Sequence, residues 1–552
     1  MKCFGFVDAP NHLARPAARK SRAGILGRAG ILGRAGILGW AVVVLGFVSM
    51  LTVSSLVATS GPLRAESRPN IVWIIVDDMS ANFSCYGETA ITTPHVDQLA
   101  ADGIRFTNAY VTAPVCSTCR SAFITGMYQT SIGAHHHRSG RGEKKITLPD
   151  HIQPIPTMFQ QAGYRTYISG WSDTAGGSKA GSGKAGKGGK PRYGKTDYNF
   201  EWDPAMYDGV SPGKEEDKPF FWQIQTPGGK RRGGDWASNH KFQAQCEKIF
   251  GSAFPTEQVT LPPYYPKDPV LLTDWAAYLD SCRYTDRLVG QVVERLKQAG
   301  QWDNTVLLFM TDHGISHARG KQFLYDEGLH VPLVIAGAGI PTGVTRDDLV
   351  EHIDIAALSL GLAGIEIPAG MQGRDILADD YQPREYAFAA RDRCDETVDH
   401  IRSVRTQRYK YIRNYLPERP HLQPCAYKDK KGILVALRAA HEAGTLSELQ
   451  QQLLFCDTRA PEELYDLQKD PHELHNLADD PAMKKTLVQL RNRLDQWVQE
   501  TGDQGATPES DEMYDSDMAV YLNAMKRKND PVHLKRIMDN IAQMKAWAAD
   551  GK

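Results

Sequence analysis

The sequence predicts an α/β protein: a large mixed, mainly parallel sheet flanked by helices, followed by a smaller C-terminal α+β domain with an antiparallel sheet. Three observations carry this reading. The continuous apolar run from Ile71 to Val76 reads as a central strand of a parallel sheet, and similar runs follow from Pro219 to Thr226 and from Asn304 to Gly314. Between the second and third, Thr273 to Ala299 carries apolar residues at helical spacing and stops at Gly300, as a long crossover helix does. After about Pro383 the pattern turns to short alternating stretches, REYAFAARDR, HIRSVRTQ and RYKYIRNY, which read as antiparallel strands followed by helical segments.

With 552 residues, 41% hydrophobic and 23% charged, the chain is long enough for a large core and a second, smaller domain. Lys and Arg total 64 against 65 Asp and Glu, a net charge of -1, so the balance points away from nucleic acid or an anionic membrane as principal partner. Nine cysteines are too few for a disulfide framework.

Residues 1–66 read as an export segment rather than fold. Basic residues precede three copies of RAGILG, starting at Arg22, Arg28 and Arg34, and an uncharged apolar run follows from Ala35 to Ala58. It serves as a signal peptide or, since ~20 apolar residues span a bilayer, as an N-terminal membrane anchor; both place the body outside the cytoplasm, in the periplasm or beyond. The main domain then covers 67–382 and the C-terminal subdomain with its helical tail 383–552. Trp171 to Tyr193, rich in Gly, Ser and Lys without an apolar period, reads as a solvated insert.

The first apolar run ends in Asp77 and Asp78 and the third in Asp312 and His313. Open α/β sheets bind ligands at this carboxyl edge. Two such pairs can surround one divalent ion, the carboxylates favouring a hard cation such as Ca²⁺ and the imidazole a softer one. Cys116 stands just before an expected helix, Ser117 to Thr125, with Arg120 four residues on, so both face an anion at a positive helix N-terminus.

These residues resemble the formylglycine-dependent sulfatases of the alkaline phosphatase superfamily, whose signature is C-x-P-S-R before a helix and Thr-Gly. Here it reads Cys116-Ser117-Thr118-Cys119-Arg120, then Thr125-Gly126. PNIVWIIVDDMS is similar to the family's first metal-binding strand, AGYRTYISG and GKTDYNF to its A-G-Y-x-T and G-K-W-H segments, and TDHG to its second metal motif. KQFLYDEGLHVP and ELYDLQKDPHELHNLA match two further motifs in order. The variants GAHHHRS and GKTDYNF are similar to sulfatases acting on sulfated polysaccharides, near the heparan-type sulfamidases.

The resemblance implies an alkaline phosphatase-like fold and hydrolysis of a carbohydrate O-sulfate or N-sulfate. Cys116 would be oxidised to formylglycine by a maturation enzyme, and its hydrate would attack sulfur. Asp77, Asp78, Asp312, His313 and the residue at 116 would hold one divalent ion, Ca²⁺. Arg120 would orient the diol, Lys195 and Lys321 would touch sulfate oxygens, and His135 would stand beside the nucleophile. Thr118 and Cys119 depart from the signature's Pro and Ser. Asp197 and Lys230 occupy places usual for histidine, which makes Lys230 a sulfate ligand or acid and Asp197 an orienter. Arg391 and Asp392, ending a strand of the smaller domain, are expected to reach the substrate. A phosphodiesterase or phosphonate monoester hydrolase of the same superfamily, and a non-catalytic binder of sulfated glycan, are the alternatives.

Overall fold

The computed structural model describes residues 68–170, 194–213 and 216–552. The export segment and the whole of the Gly/Lys-rich insert lie outside the described residues, and among the described ones no helix is long and apolar enough to cross a membrane.

The main sheet contains β1 (Asn70–Val76), β2 (Gly103–Tyr110), β3 (Arg165–Gly170), β4 (Phe220–Thr226), β5 (Thr305–Thr311), β6 (His330–Gly337), β7 (Val344–Arg346) and β8 (Val350–Glu351). Their spatial order is β3-β4-β1-β5-β6-β2-β7, with β8 also on β2. The strands β3, β4, β1 and β5 are mutually parallel, whereas β6 runs antiparallel to both β5 and β2. All residues of β1, β4 and β5 are buried, including Gln223 and Gln225, the two polar side chains that interrupt the apolar run of β4. Trp73 on β1 meets Phe221 on β4 and Phe123 of a covering helix edge-on, with ring centroids at 5.0 and 5.7 Å.

The long crossover helix spans Pro269–Gln298. Asp268 caps it by accepting from the Val270 amide, and Pro269 fills the first turn, where no amide donor is needed. The second sheet, ordered β12-β11-β10-β9, is antiparallel throughout and consists of β9 (Ala387–Arg391), β10 (Ile401–Arg405), β11 (Tyr409–Asn414) and β12 (Glu462–Asp466).

The second sheet belongs to the same compact unit as the first. Phe388, Val404, Tyr411 and Leu464 form one apolar cluster with Leu490, Leu494 and Trp497 of the helix Lys484–Thr501 and with Ala122 of the helix Cys116–Thr125. The Ala390 amide also donates to the Thr112 carbonyl at 2.9 Å. The smaller sheet thus braces the helix that carries Cys116.

Candidate active site

Three strand ends and one helix start converge at the carboxyl edge of the main sheet. Asp77 and Asp78 follow β1, Asp312 and His313 follow β5, Lys230 follows β4, and Cys116 is the first residue of the helix Cys116–Thr125. Successive side chains of an extended strand point to opposite faces. Asp78 breaks that alternation with φ 53°, a left-handed conformation costing about 1–3 kcal/mol in a non-glycine residue, and both carboxylates turn toward one centre.

The loop carrying Lys230 passes hard against this turn. A Cβ on Gly228 would lie 2.3 Å from the Asp77 carbonyl oxygen, and one on Gly229 would lie 2.1 Å from that of Asp78. Only glycines allow the approach, which the Gly229 amide completes by donating to the Asp77 carbonyl at 2.8 Å.

One donor atom from each of Asp78, Cys116, Asp312 and His313 lies within 4.8 Å of the others, and all four residues are buried. This donor set fits a divalent cation. Around it stands a ring of cations. Lys230 Nζ is 2.9 Å from Asp77 Oδ2, 3.3 Å from Asp78 Oδ1 and 3.4 Å from Cys116 Sγ. Lys321 Nζ is 3.1 Å from Asp78 Oδ1 and 3.2 Å from Sγ. Lys195 Nζ bonds Asp77 at 3.1 Å and Asp312 at 3.3 Å, and Arg120 bonds Asp77, Gln225 and, at 3.1 Å, Asp312. Asp197 pairs with Arg120 at 3.5 Å and Lys195 at 3.7 Å. Asp77 is engaged by these cations and stands outside the four-donor group.

Burial alone would raise the Cys116 thiol, but Lys195, Lys230 and Lys321 overcome it and bring it down to about 6. For Cys119, on the same helix, burial and Asp312 outweigh Arg120 and Lys195 and push its thiol well up, and its sulfur lies 3.5 Å from His352 Nδ1. Despite their burial, Asp78 is held far below the usual carboxylate range by Lys230 and Lys321, and Asp312 by His313, Lys195 and Arg120. The centre is therefore one of fixed charge, preorganised for an anionic group.

Three expected site residues stand elsewhere. Arg391 is buried against Asp399 at 2.8 Å, and Asp392 accepts from Arg402 at 3.1 Å, so both are buried in ion pairs at the smaller sheet and stand outside the Cys116 centre. His135 is buried with its Nδ1 unbonded, and its charged neighbours are Arg402, Asp503, Glu509 and Arg393. His137 is the histidine tied to the helix that starts at Cys116, its Nδ1 2.6 Å from Ser117 Oγ. Gln225 was legible only by register: it pairs with Ile75 one residue before the end of β4, which brings it to Arg120. Tyr427, whose ring lies 5.0 Å from Lys321 Nζ, sits in a stretch with no motif around it.

The site thus gathers two carboxylates, an imidazole and a buried thiol that could together hold a cation, with four cationic side chains around them, an environment suited to an anionic ester. The sulfatase profile matches residues 69–365, and the profile described as N-sulphoglucosamine sulphohydrolase, C-terminal, matches 313–422. An ulvan-active sulfatase of Formosa agariphila is 32% identical over 484 residues, covering 81% of this chain and 78% of that protein. Human N-sulphoglucosamine sulphohydrolase is 26% identical over 508 residues, covering 81% and 93%. A solved structure in complex with D-glucosamine-2-N,6-O-disulfate shares the fold, with a TM-score of 0.51 at 20% identity over 79% of this chain and 99% of that one. The chain belongs to the sulfatase family, whose members are sulfuric ester hydrolases.

Proposed function

We propose that this protein hydrolyses an O-sulfate or N-sulfate of a sulfated carbohydrate, with Cys116 matured to formylglycine. The supporting observation is the environment of Cys116 Sγ, at a helix N-terminus with His313 Nε2 at 3.1 Å and two lysine ammonium groups within 3.4 Å. Asp78, Asp312, His313 and the residue at 116 would hold one Ca²⁺ ion, with Asp77 joining them once the ion draws it from its cationic partners; when bound, the ion adds positive charge against the nonbridging sulfate oxygens. Arg120 orients the group at 116 through the carboxylates it bridges. Lys195, Lys230 and Lys321 hold sulfate oxygens, and Asp197 keeps Arg120 and Lys195 in place.

The names of the relatives, an ulvan-active sulfatase and an N-sulphoglucosamine sulphohydrolase, support a polysaccharide-derived substrate. A cleft of about 580 Å³ lined by Arg141, Asp197, Tyr198, Glu201 and Trp202 opens beside Asp197 and gives room for sugar rings. In this reading residues 1–66 direct export or anchor the chain, 67–382 form the catalytic domain, and a maturation enzyme acts on Cys116 despite Thr118.

The test is mass spectrometry of the peptide containing position 116 from the native host, combined with sulfate release from an ulvan oligosaccharide and from N-sulfoglucosamine. Conversion to formylglycine together with release from either substrate is the expected result. Complete retention of the thiol with no release overturns the reading in favour of a glycan binder.

A further inference from the structure

Breaking a sugar–sulfate bond requires a proton for the departing oxygen or nitrogen, because an alkoxide or amide anion is too basic to leave unaided. Around Cys116 the candidates are few. Lys195, Lys230 and Lys321 each have the ammonium fixed by carboxylates at 2.9–3.1 Å, the arrangement of a charge clamp. Asp197 is paired with two cations, and His135 stands among other charged partners.

Tyr427 is different. It lies on the short helix Ala426–Asp429, half-buried, with its ring 5.0 Å from Lys321 Nζ and 4.8 Å from Lys431 Nζ. Its hydroxyl makes no hydrogen bond among the described residues. The helix is fixed from both sides. The Ala426 amide donates to Glu396 at 2.6 Å, Lys428 Nζ donates to the His317 carbonyl at 3.0 Å, and Lys431 Nζ donates to Ser316 Oγ at 2.6 Å.

We propose that Tyr427 is the general acid that protonates the leaving group. This rests on the sulfatase reading above. As the nucleophilic oxygen at position 116 bonds to sulfur, the bond from sulfur to the bridging oxygen or nitrogen breaks and its electron pair stays with that atom. The Tyr427 hydroxyl proton passes to it, and the negative charge left on the phenolate is offset by the ammonium groups of Lys321 and Lys431 that stand over its ring until water returns a proton. Burial would hold the phenol proton more tightly, but Lys321 and Lys431 outweigh it, with Lys230 assisting and Asp78 opposing, so the phenol is more acidic than an ordinary tyrosine. Lys321 serves two ends of the reaction, since its Nζ is also 3.2 Å from Cys116 Sγ.

The test compares matured wild type and Tyr427→Phe, matched for formylglycine content, on an ulvan oligosaccharide and on 4-nitrophenyl sulfate. Nitrophenolate leaves without a proton, whereas a sugar oxygen does not. Tyr427→Phe should lose on the order of 10²–10⁴-fold in kcat on the oligosaccharide and less than about threefold on the aryl sulfate. Equal losses on both, or none on the oligosaccharide, overturn the assignment. In a second arm, 3-fluorotyrosine at 427, which preserves shape, should move the alkaline limb of the kcat profile on the oligosaccharide to lower pH; an unmoved limb overturns it if the phenylalanine variant does not fold or the aryl sulfate is not turned over. Wild type inactive on both substrates would instead bring down the sulfatase reading itself.

Discussion

Gly229→Ala isolates how strongly the site depends on the approach of the Lys230 loop. Gly229 does not have a positive φ, so alanine brings no backbone strain of its own. Its Cβ, however, would stand 2.1 Å from the Asp78 carbonyl oxygen, where ordinary contact begins at 3.4 Å, and both sides of the clash are backbone. Relief requires the loop to retreat by about 1.3 Å, the difference between those two distances. Lys230 follows at the next position, and a retreat of that size takes its Nζ beyond hydrogen-bond range of Asp77 and Asp78, now at 2.9 and 3.3 Å. Misplacement by 1 Å costs about 10²-fold in rate, or about 2.7 kcal/mol of transition-state stabilisation. The assay is kcat/KM for sulfate release, normalised to formylglycine content, with Gly209→Ala as control because a Cβ there meets only ordinary contacts at 3.6 Å. A folded Gly229→Ala enzyme with wild-type kcat/KM would refute the reasoning.

Three other outcomes follow from the same geometry. Cys116→Ala should abolish sulfate release while thermal unfolding stays near wild type; Arg120→Ala should also lower stability, by about 1–3 kcal/mol in metal-free urea titrations, since Asp77, Asp197 and Asp312 lose their most buried cation and keep only the lysines. Chelation should remove activity of the matured protein, with Ca²⁺ restoring it better than Zn²⁺ and Asp78→Asn recovering with neither; preferential rescue by Zn²⁺ would contradict a donor set in which maturation puts oxygen in place of the Cys116 sulfur beside two carboxylates and one imidazole. His352 is buried and its imidazole is pushed down to about 3, so between that value and the ordinary 6.5 the unfolded chain binds a proton that the folded one refuses. Stability should therefore fall as pH drops below about 6.5, by up to about 1.4 kcal/mol per unit from this group, and His352→Gln should flatten the slope of the urea midpoint over that range.

The centre of the fold was readable because its signals are local. An apolar run that stops at Asp77-Asp78, and another that stops at Asp312-His313, state both a buried strand and a ligand position in a few residues. The run HVPLVIAG of β6 has the same composition as β1, and nothing in it announces the reversed direction, which is decided by pairing with β5 and β2. The alternation of β9 gives the course of Arg391 and Asp392 but not their partners: Asp399 and Arg402 claim them, and the charge is spent inside the sheet. GAHHHRS offers three adjacent imidazoles, and only the backbone path tells which one reaches Ser117. Tyr427 belongs to a segment fixed by Glu396, His317 and Ser316, all of them remote in sequence, so no spacing rule brings it to Lys321.

The central strands β1 and β5 are hydrogen-bonded neighbours, yet Asp78 and Asp312 are 234 residues apart in the chain. At about 5–20 residues per second, a ribosome needs on the order of 10–50 s to make the stretch between them. During that interval the first carboxylate pair exists without its ion-binding partners, and β1 lacks one of its two flanking strands. The charged centre is therefore a late product of synthesis, complete only once β5 and the Lys321 loop that follows it have been made. A chain cut short before β5 would carry the nucleophile helix and still have no cage to place it in.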